Sequence, residues 1–409
     1  MPCHLFIAYI IELAAAQQAK DAVARIKKAG EEPRPRVREN MLRLTFQSTW
    51  QIIAFAHGVN ATLNLIIATK VVYYDIHHPG IGTLCELHAV IVWLKVCSYA
   101  FTNRDLRRAL LSPSASAPLP EIYSSCPYPR NINWKNLCYF WWAPTLVYQP
   151  AYPRSSSIRW PFVFKRLGEV ASLSIVIWIA SAQYAAPLLQ NSLDKMFDLD
   201  LVSITERVMK LSTISLFCWL CGFFALFQSF LNALAEVMHF GDREFYTDWW
   251  NVSSIRTYWT SWNKPVTNFM KRHIYAPLIG RGWSPTAAQI VVFILSGILH
   301  ELLVGVPTHN VIGNSPCAVF HGIHIYINCR KLTYKYRRCI RWHDASDPTH
   351  RRHGQAPENE RRERQGCRKR DLLDQFLLGR PAAGCIALFF RLACQVWQRL
   401  EAGATFPSF

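Results

Sequence analysis

The chain has 409 residues, 51% of them hydrophobic and 13% aromatic, with 15 Trp and a formal net charge of +18. That composition excludes an ordinary soluble domain. The basic residues lie mostly between apolar runs and in one late segment, which fits cytosolic membrane loops better than a nucleic-acid surface. The 13 Cys are odd in number and scattered, several of them inside apolar runs, which argues for reduced core thiols and against a disulfide framework. Cys218 and Cys221 form C-x-x-C without a second pair, so helix packing is the reading there, since a zinc site needs four ligands.

In chain order, Cys3 to Ala16 is apolar with Glu12 inside it and no basic region before it, so it reads as a transmembrane helix, not a signal peptide. Lys20 to Arg43 is basic, and Pro33 and Pro35 argue against one long helix, which predicts a cytosolic loop. Trp50 to Tyr74 is the first full-length span. A turn at His77-His78-Pro79-Gly80 leads to a second, Ile81 to Phe101. Its Glu86, His88 and Lys95 are expected to share one face turned into protein, as a polar seam or a substrate path.

Ser112 to Pro129 is a linker rich in Pro and Ser. Asn136 to Tyr148 is short and aromatic, which predicts a half-buried or re-entrant helix ending near Pro144, followed by an interfacial loop from Tyr152 to Trp160. Leu167 to Leu189 spans again, Asn191 to Lys210 reads as an extracytosolic loop, and Leu211 to Phe240 as a long apolar helix ending in Glu236 and His239. The positive-inside pattern then puts Gly241 to Pro285 on the cytosolic side. Ala287 to Val306 is the last clear span, with Pro285 and Thr286 suited to its start and Pro307 after its end. Beyond Gly313 the chain is weakly apolar to Asn328 and strongly basic from Arg330 to Arg370, a stretch that reads as solvated or disordered. Leu372 to Trp397 is apolar but broken by Arg380, Pro381 and Arg391. The fold class is therefore all-α, a polytopic membrane helix bundle.

His300 and Glu301 sit in the middle of the last span. An ionisable pair at that depth costs several kcal/mol and is a functional-site hypothesis by default. A neutral His has an ordinary pKa close to working pH and can serve as general base; the alternative is a hydrogen-bonded packing residue. Glu301 points about 100° away from His300 on a helix. The pattern is not a zinc-protease site, which would need a second His where Val304 stands. Asn263, in Trp262-Asn263-Lys264-Pro265, can stabilise an oxyanion or cap a helix starting near Pro265. Lys264, Lys271, Arg272 and His273 form a basic cluster suited to phosphates or to anionic headgroups.

Together, Phe245-Tyr246-Thr247-Asp248-Trp249-Trp250-Asn251, Trp262-Asn263, Arg272-His273-Ile274-Tyr275 and His300-Glu301 resemble the membrane-bound O-acyltransferase superfamily, in the branch of diacylglycerol O-acyltransferase type 1 and sterol O-acyltransferase. Trp93-Leu94-Lys95, Ser98-Tyr99-Ala100, Tyr128-Pro129, Ala143-Pro144-Thr145-Leu146 and Tyr152-Pro153-Arg154-Ser155 favour the diacylglycerol side. The resemblance implies a membrane domain over residues 1–313 with a central catalytic tunnel, and a divergent region over 314–409, aberrant or disordered, with the one doubtful apolar segment 372–397. It implies transfer of a fatty acyl group from acyl-CoA to diacylglycerol, giving triacylglycerol, in the endoplasmic reticulum membrane. His300 would be the general base, Asn263 would stabilise the thioester carbonyl or the attacking group, and Glu301 would support the site. Trp249, Trp262, Tyr275 and Ser296 would line the acyl-CoA tunnel. Acyl-CoA would be a co-substrate, with no metal or prosthetic group and no nucleic acid, and the family assembles as homodimers or homotetramers.

Three departures accompany the resemblance. The family has one more helix before Cys3 and an N-terminal tail that helps dimerise. It continues after Gly313 with apolar helices, where this chain has its basic stretch. It commonly has His and Lys where Thr267 and Pro285 stand. A truncated or mis-spliced product would account for both ends. The alternatives are sterol esterification by the same machinery and an inactive membrane protein, with a basic-surface binder resting on the charge alone.

Overall fold

The computed structural model describes residues 2–28, 35–111, 121–197 and 201–309. The stretches read as weakly apolar, basic and doubtfully spanning after Gly313 lie outside the described residues. Regular structure among the described residues is helical throughout, with one isolated antiparallel bridge between Arg154 and Phe240. Among the described residues, five helices are long and apolar enough to cross a membrane: Thr49–Tyr74, Pro79–Leu111, Trp160–Ser192, Thr205–Val237 and Pro285–Gly305. They expose side chains such as Phe55, Leu84 and Trp178, which a bilayer accommodates while the helices satisfy their own backbone groups.

The described residues divide between two compact units, one within Met1–Arg166 and Phe230–Val319, the other within Leu167–Ser229. The first opens with α1 (Pro2–Lys28), α2 (Pro35–Tyr74) and α3 (Pro79–Leu111). The loop expected over Lys20 to Arg43 is thus mostly helical. Pro35 does not break α2 because it stands at its first position, where no backbone N–H is needed. Glu12 on α1 is fully buried, with His57 of α2 at 3.0 Å and Arg107 of α3 at 2.8 Å, so one carboxylate ties the three helices together.

Helix α3 is the centre of this unit, and its polar residues do not share one face. Glu86 and Lys95 are nine positions apart, about half a turn in direction, and both are buried because α3 is covered on both sides. Glu86 accepts from Thr69 of α2 at 2.8 Å. Lys95 donates to the carbonyls of Phe140, Trp141 and Ala143 at 2.8, 2.8 and 2.9 Å. These carbonyls end α4 (Trp134–Trp142), so the ammonium sits where the helix leaves acceptors unpaired and its dipole is negative. His88 is exposed, its ring 6.0 Å from that of Trp141.

Beyond α4, the interfacial loop expected over 152–160 is fixed by α8 (Leu231–Val237). Buried Glu236 accepts from Arg159 through its backbone N (2.8 Å), Nε (3.1 Å) and a terminal nitrogen (3.0 Å), and also pairs with Arg243. Gly241 donates to the Pro153 carbonyl at 2.8 Å. A Cβ at Gly241 would lie 2.9 Å from that oxygen. Gly241→Ala is therefore expected to destabilise the protein by about 1–3 kcal/mol, since backbone cannot swing aside as a side chain can. A thermal midpoint unchanged in detergent would contradict this.

In the second unit, α5 (Trp160–Ile179) passes into a π-helical stretch, Ala180–Ala185, then α6 (Ala186–Phe197). Both latter segments pack on α7 (Leu201–Phe223), which continues as a π-helical stretch, Phe224–Phe230. The loop expected over Asn191 to Lys210 is helical at both ends, with residues 198–200 outside the described residues. The apolar helix expected from Leu211 begins ten residues earlier, at Leu201. Trp219, Phe223 and Phe227 stack at 5.6 and 4.8 Å, and Cys218 lies 4.0 Å from Ser181 Oγ, as packing residues do.

Candidate active site

Helix α12 (Pro285–Gly305) starts as its sequence dictates. Ser284 accepts from the Ala287 amide at 3.2 Å, and Pro285 follows the cap. Its packing face carries Leu299, which is buried in a cluster with Val90 and Leu94 of α3 and with Leu146, Val147, Phe269 and Met270. His300 follows directly, so it projects about 100° from that face. The described residues leave its ring exposed.

The His300 ring is nonetheless oriented. Its Nδ1 lies 2.6 Å from the carbonyl oxygen of Ser296 and 3.4 Å from the Ser296 hydroxyl. A carbonyl only accepts, so Nδ1 carries a proton, and in the neutral ring Nε2 then carries the lone pair. Of the residues expected near the site, Ser296 is thus joined to His300 directly. Glu301 is half-buried, one position round the helix.

The aromatic segment reaches α12 through short connections. Phe245 is buried, its carbonyl accepts from the Lys264 amide at 3.0 Å, and the Thr247 amide donates to Ser261 at 2.9 Å. A short turn, Trp249–Asn251, sets Trp249 edge-on to Tyr258 at 6.0 Å, on α9 (Ile255–Ser261). Trp259, also on α9, meets Phe293 edge-on at 6.0 Å. Phe293 is seven residues before His300, two turns along nearly the same line of α12. The segment from 245 to 263 is therefore anchored on the side of α12 that carries His300.

Trp262 ends α9 and is half-buried. Asn263 caps α10 (Lys264–Met270): its side-chain oxygen accepts from the Val266 amide at 3.2 Å. The capping role weighed for this residue is real, and it engages only Oδ1. The amide nitrogen remains a donor on a side chain whose torsion is already fixed. After α10 a π-helical turn, Lys271–Tyr275, leads to α11 (Ala276–Gly280) and packs on α12. Tyr275 closes that turn, half-buried.

The basic cluster expected nearby does not converge. Lys264 pairs with Glu244 at 2.5 Å, and Lys271 is exposed. Arg272 donates to the Tyr123 hydroxyl at 3.1 Å. His273 turns inward, 2.7 Å from Ser98 Oγ. Burial, aided by the positive charges of Arg272 and Arg104, holds its pKa down to about 3. Three of the four are thus drawn into separate contacts, with Glu244, Tyr123 and Ser98. Sequence reasoning did not foresee that Ser98 and His273 would meet, although both lie in the motifs that carry the resemblance.

The exposed His300 on α12, the aromatic segment anchored on the same side of that helix and the helix-capping Asn263 make up the candidate site. The profile of the membrane-bound O-acyltransferase family matches residues 46–306, well over half of the chain, and the chain belongs to that family. Among curated proteins it is 42% identical over 228 residues to "Diacylglycerol O-acyltransferase 1A" of Glycine max, covering 56% of this chain and 45% of that protein. It is 38% identical over 259 residues to "Diacylglycerol O-acyltransferase 1" of Bos taurus (61% and 53%) and 36% over 253 residues to that of Dictyostelium discoideum (62% and 41%). The chain spans about half the length of these relatives.

Proposed function

We propose that the chain transfers a fatty acyl group from acyl-CoA to diacylglycerol, giving triacylglycerol and free CoA. The observation that carries this reading is the bond from His300 Nδ1 to the Ser296 carbonyl, which puts the lone pair on Nε2. That nitrogen takes the proton from the diacylglycerol hydroxyl as its oxygen attacks the thioester carbonyl. A C–O bond forms, the C–S bond breaks, and the imidazolium returns the proton to the departing thiolate. Asn263 Nδ2 donates to the carbonyl oxygen as charge develops there, Glu301 supports His300, and Trp249, Trp262, Tyr275 and Ser296 line the acyl-CoA path through a central tunnel. As written, the reaction uses only the thioester's own energy. The names of the relatives support the choice of alcohol. Placement in the endoplasmic reticulum and self-association belong to the same proposal.

The test supplies labelled oleoyl-CoA with either diacylglycerol or a sterol to membranes that lack endogenous activity. Label in triacylglycerol is expected. Label in steryl ester alone would move the assignment to sterol esterification, and label in neither would overturn it.

Asn263→Asp separates the two roles of that residue. Asp caps a helix as well as Asn does, but an ionised carboxylate has no proton to donate. The variant is expected to stay folded while kcat falls by about 10²–10³, the usual effect of losing one oxyanion donor. Full activity in Asn263→Asp would leave capping as the residue's whole function.

A further inference from the structure

Ser98 is fully buried on α3 at a junction of three segments. Its oxygen accepts from the Tyr148 amide at 2.8 Å, and its hydroxyl faces His273 Nε2 at 2.7 Å. The direction of the second bond is fixed by chemistry. A ring kept neutral by burial and by Arg272 and Arg104 offers a lone pair at Nε2, and Ser98 has the proton to give it. The His273 ring is held between Phe269 and Phe101, at 5.0 and 5.6 Å between centroids. Phe269 and the neighbouring Ile274 share the apolar cluster of Leu299, the residue directly before His300. This polar contact joins the turn Lys271–Tyr275, which packs on α12, to α3.

We infer that the Ser98–His273 hydrogen bond is a positioning element for acyl transfer. It fastens to α3 the segment that begins at Asn263 and ends at Tyr275, and so sets where those two side chains stand relative to His300. The inference deepens the acyltransferase reading and rests on it. Neither Ser98 nor His273 touches substrate; both act through the residues they hold.

The experiment compares full-length wild type with Ser98→Ala, His273→Leu, the double variant and His273→Gln, whose amide oxygen can still accept from Ser98. Backbone hydrogen exchange is read alongside steady-state kinetics. In Ser98→Ala and His273→Leu, exchange across 264–276 is expected to rise about tenfold, with 167–197 unchanged, because local opening reports local contacts. Their kcat is expected to fall about 10- to 100-fold with the KM for acyl-CoA within about threefold, as for small misplacements of reacting groups. The double variant should be no worse than the poorer single, and His273→Gln should recover kcat to within about threefold of wild type, since the two residues act as one unit. Unchanged exchange across 264–276, additive losses in the double variant, or full kcat despite faster exchange would each overturn the inference. A wild type without transfer activity would instead overturn the acyltransferase reading and the catalytic half of this inference, and exchange would still decide the other half.

Discussion

His300→Ala is expected to lower acyl transfer by about 10²–10⁴-fold, the usual contribution of general-base catalysis, while leaving the amount of membrane-embedded protein unchanged. Both halves follow from geometry. The ring is exposed, and its fixed bond runs to Ser296, one turn back on the same helix. Helix α12 is held instead by Leu299 and its apolar neighbours against α3. Removing the imidazole takes away the lone pair and opens no cavity in the core. Quantitation of the variant in the membrane fraction, beside labelled acyl-CoA turnover, checks both. Wild-type turnover in His300→Ala would end the catalytic assignment. A loss of protein matching the loss of activity would show that the residue is structural.

Glu12→Ala is expected to have the largest effect on stability, about 3–5 kcal/mol, the range for breaking a buried ion pair from one side. The variant strands Arg107, which is 2% exposed and 2.8 Å from the carboxylate, and leaves His57 without its acceptor. The effect is on the fold, since these residues join α1, α2 and α3. The readout is the thermal midpoint and the yield of folded protein after detergent extraction. Replacing Glu12, His57 and Arg107 together by Leu, Leu and Met should recover much of the loss, because an apolar substitute has no charge to desolvate. A Glu12→Ala protein with the wild-type midpoint would show that the ion pair contributes nothing.

The spans were legible because apolar runs of bilayer length are a strong signal, and Trp50–Tyr74 and Ala287–Val306 agree to within two residues with the spans Thr49–Tyr74 and Pro285–Gly305. Helix ends were less legible. Lys20 to Lys28 and Leu201 to Lys210 are polar enough to read as loop, yet they continue helices whose apolar parts anchor them. The arrangement of the α3 charges was misread because one helix can be buried on two faces, and spacing alone does not say how many. The same limit scattered the basic cluster. Four basic residues near one another in sequence point to one ligand only if no other partner claims them; Glu244 comes from the neighbouring segment, and Tyr123 and Ser98 from distant parts of the chain. Asn263 shows the converse. Pro265 marked a helix start, so the cap was foreseeable, and the cap uses only the amide oxygen, leaving the nitrogen for the donor role proposed above.

The central claim is that Nε2 of His300 stands beside the reactive end of a bound acyl-CoA. The most direct measurement exposes the full-length protein in membranes to an acyl-CoA bearing bromine α to the thioester, then maps the alkylated residue by mass spectrometry. The predicted result is one adduct, on His300, that unmodified acyl-CoA suppresses. Saturable labelling at another residue, with His300 untouched, would contradict the account.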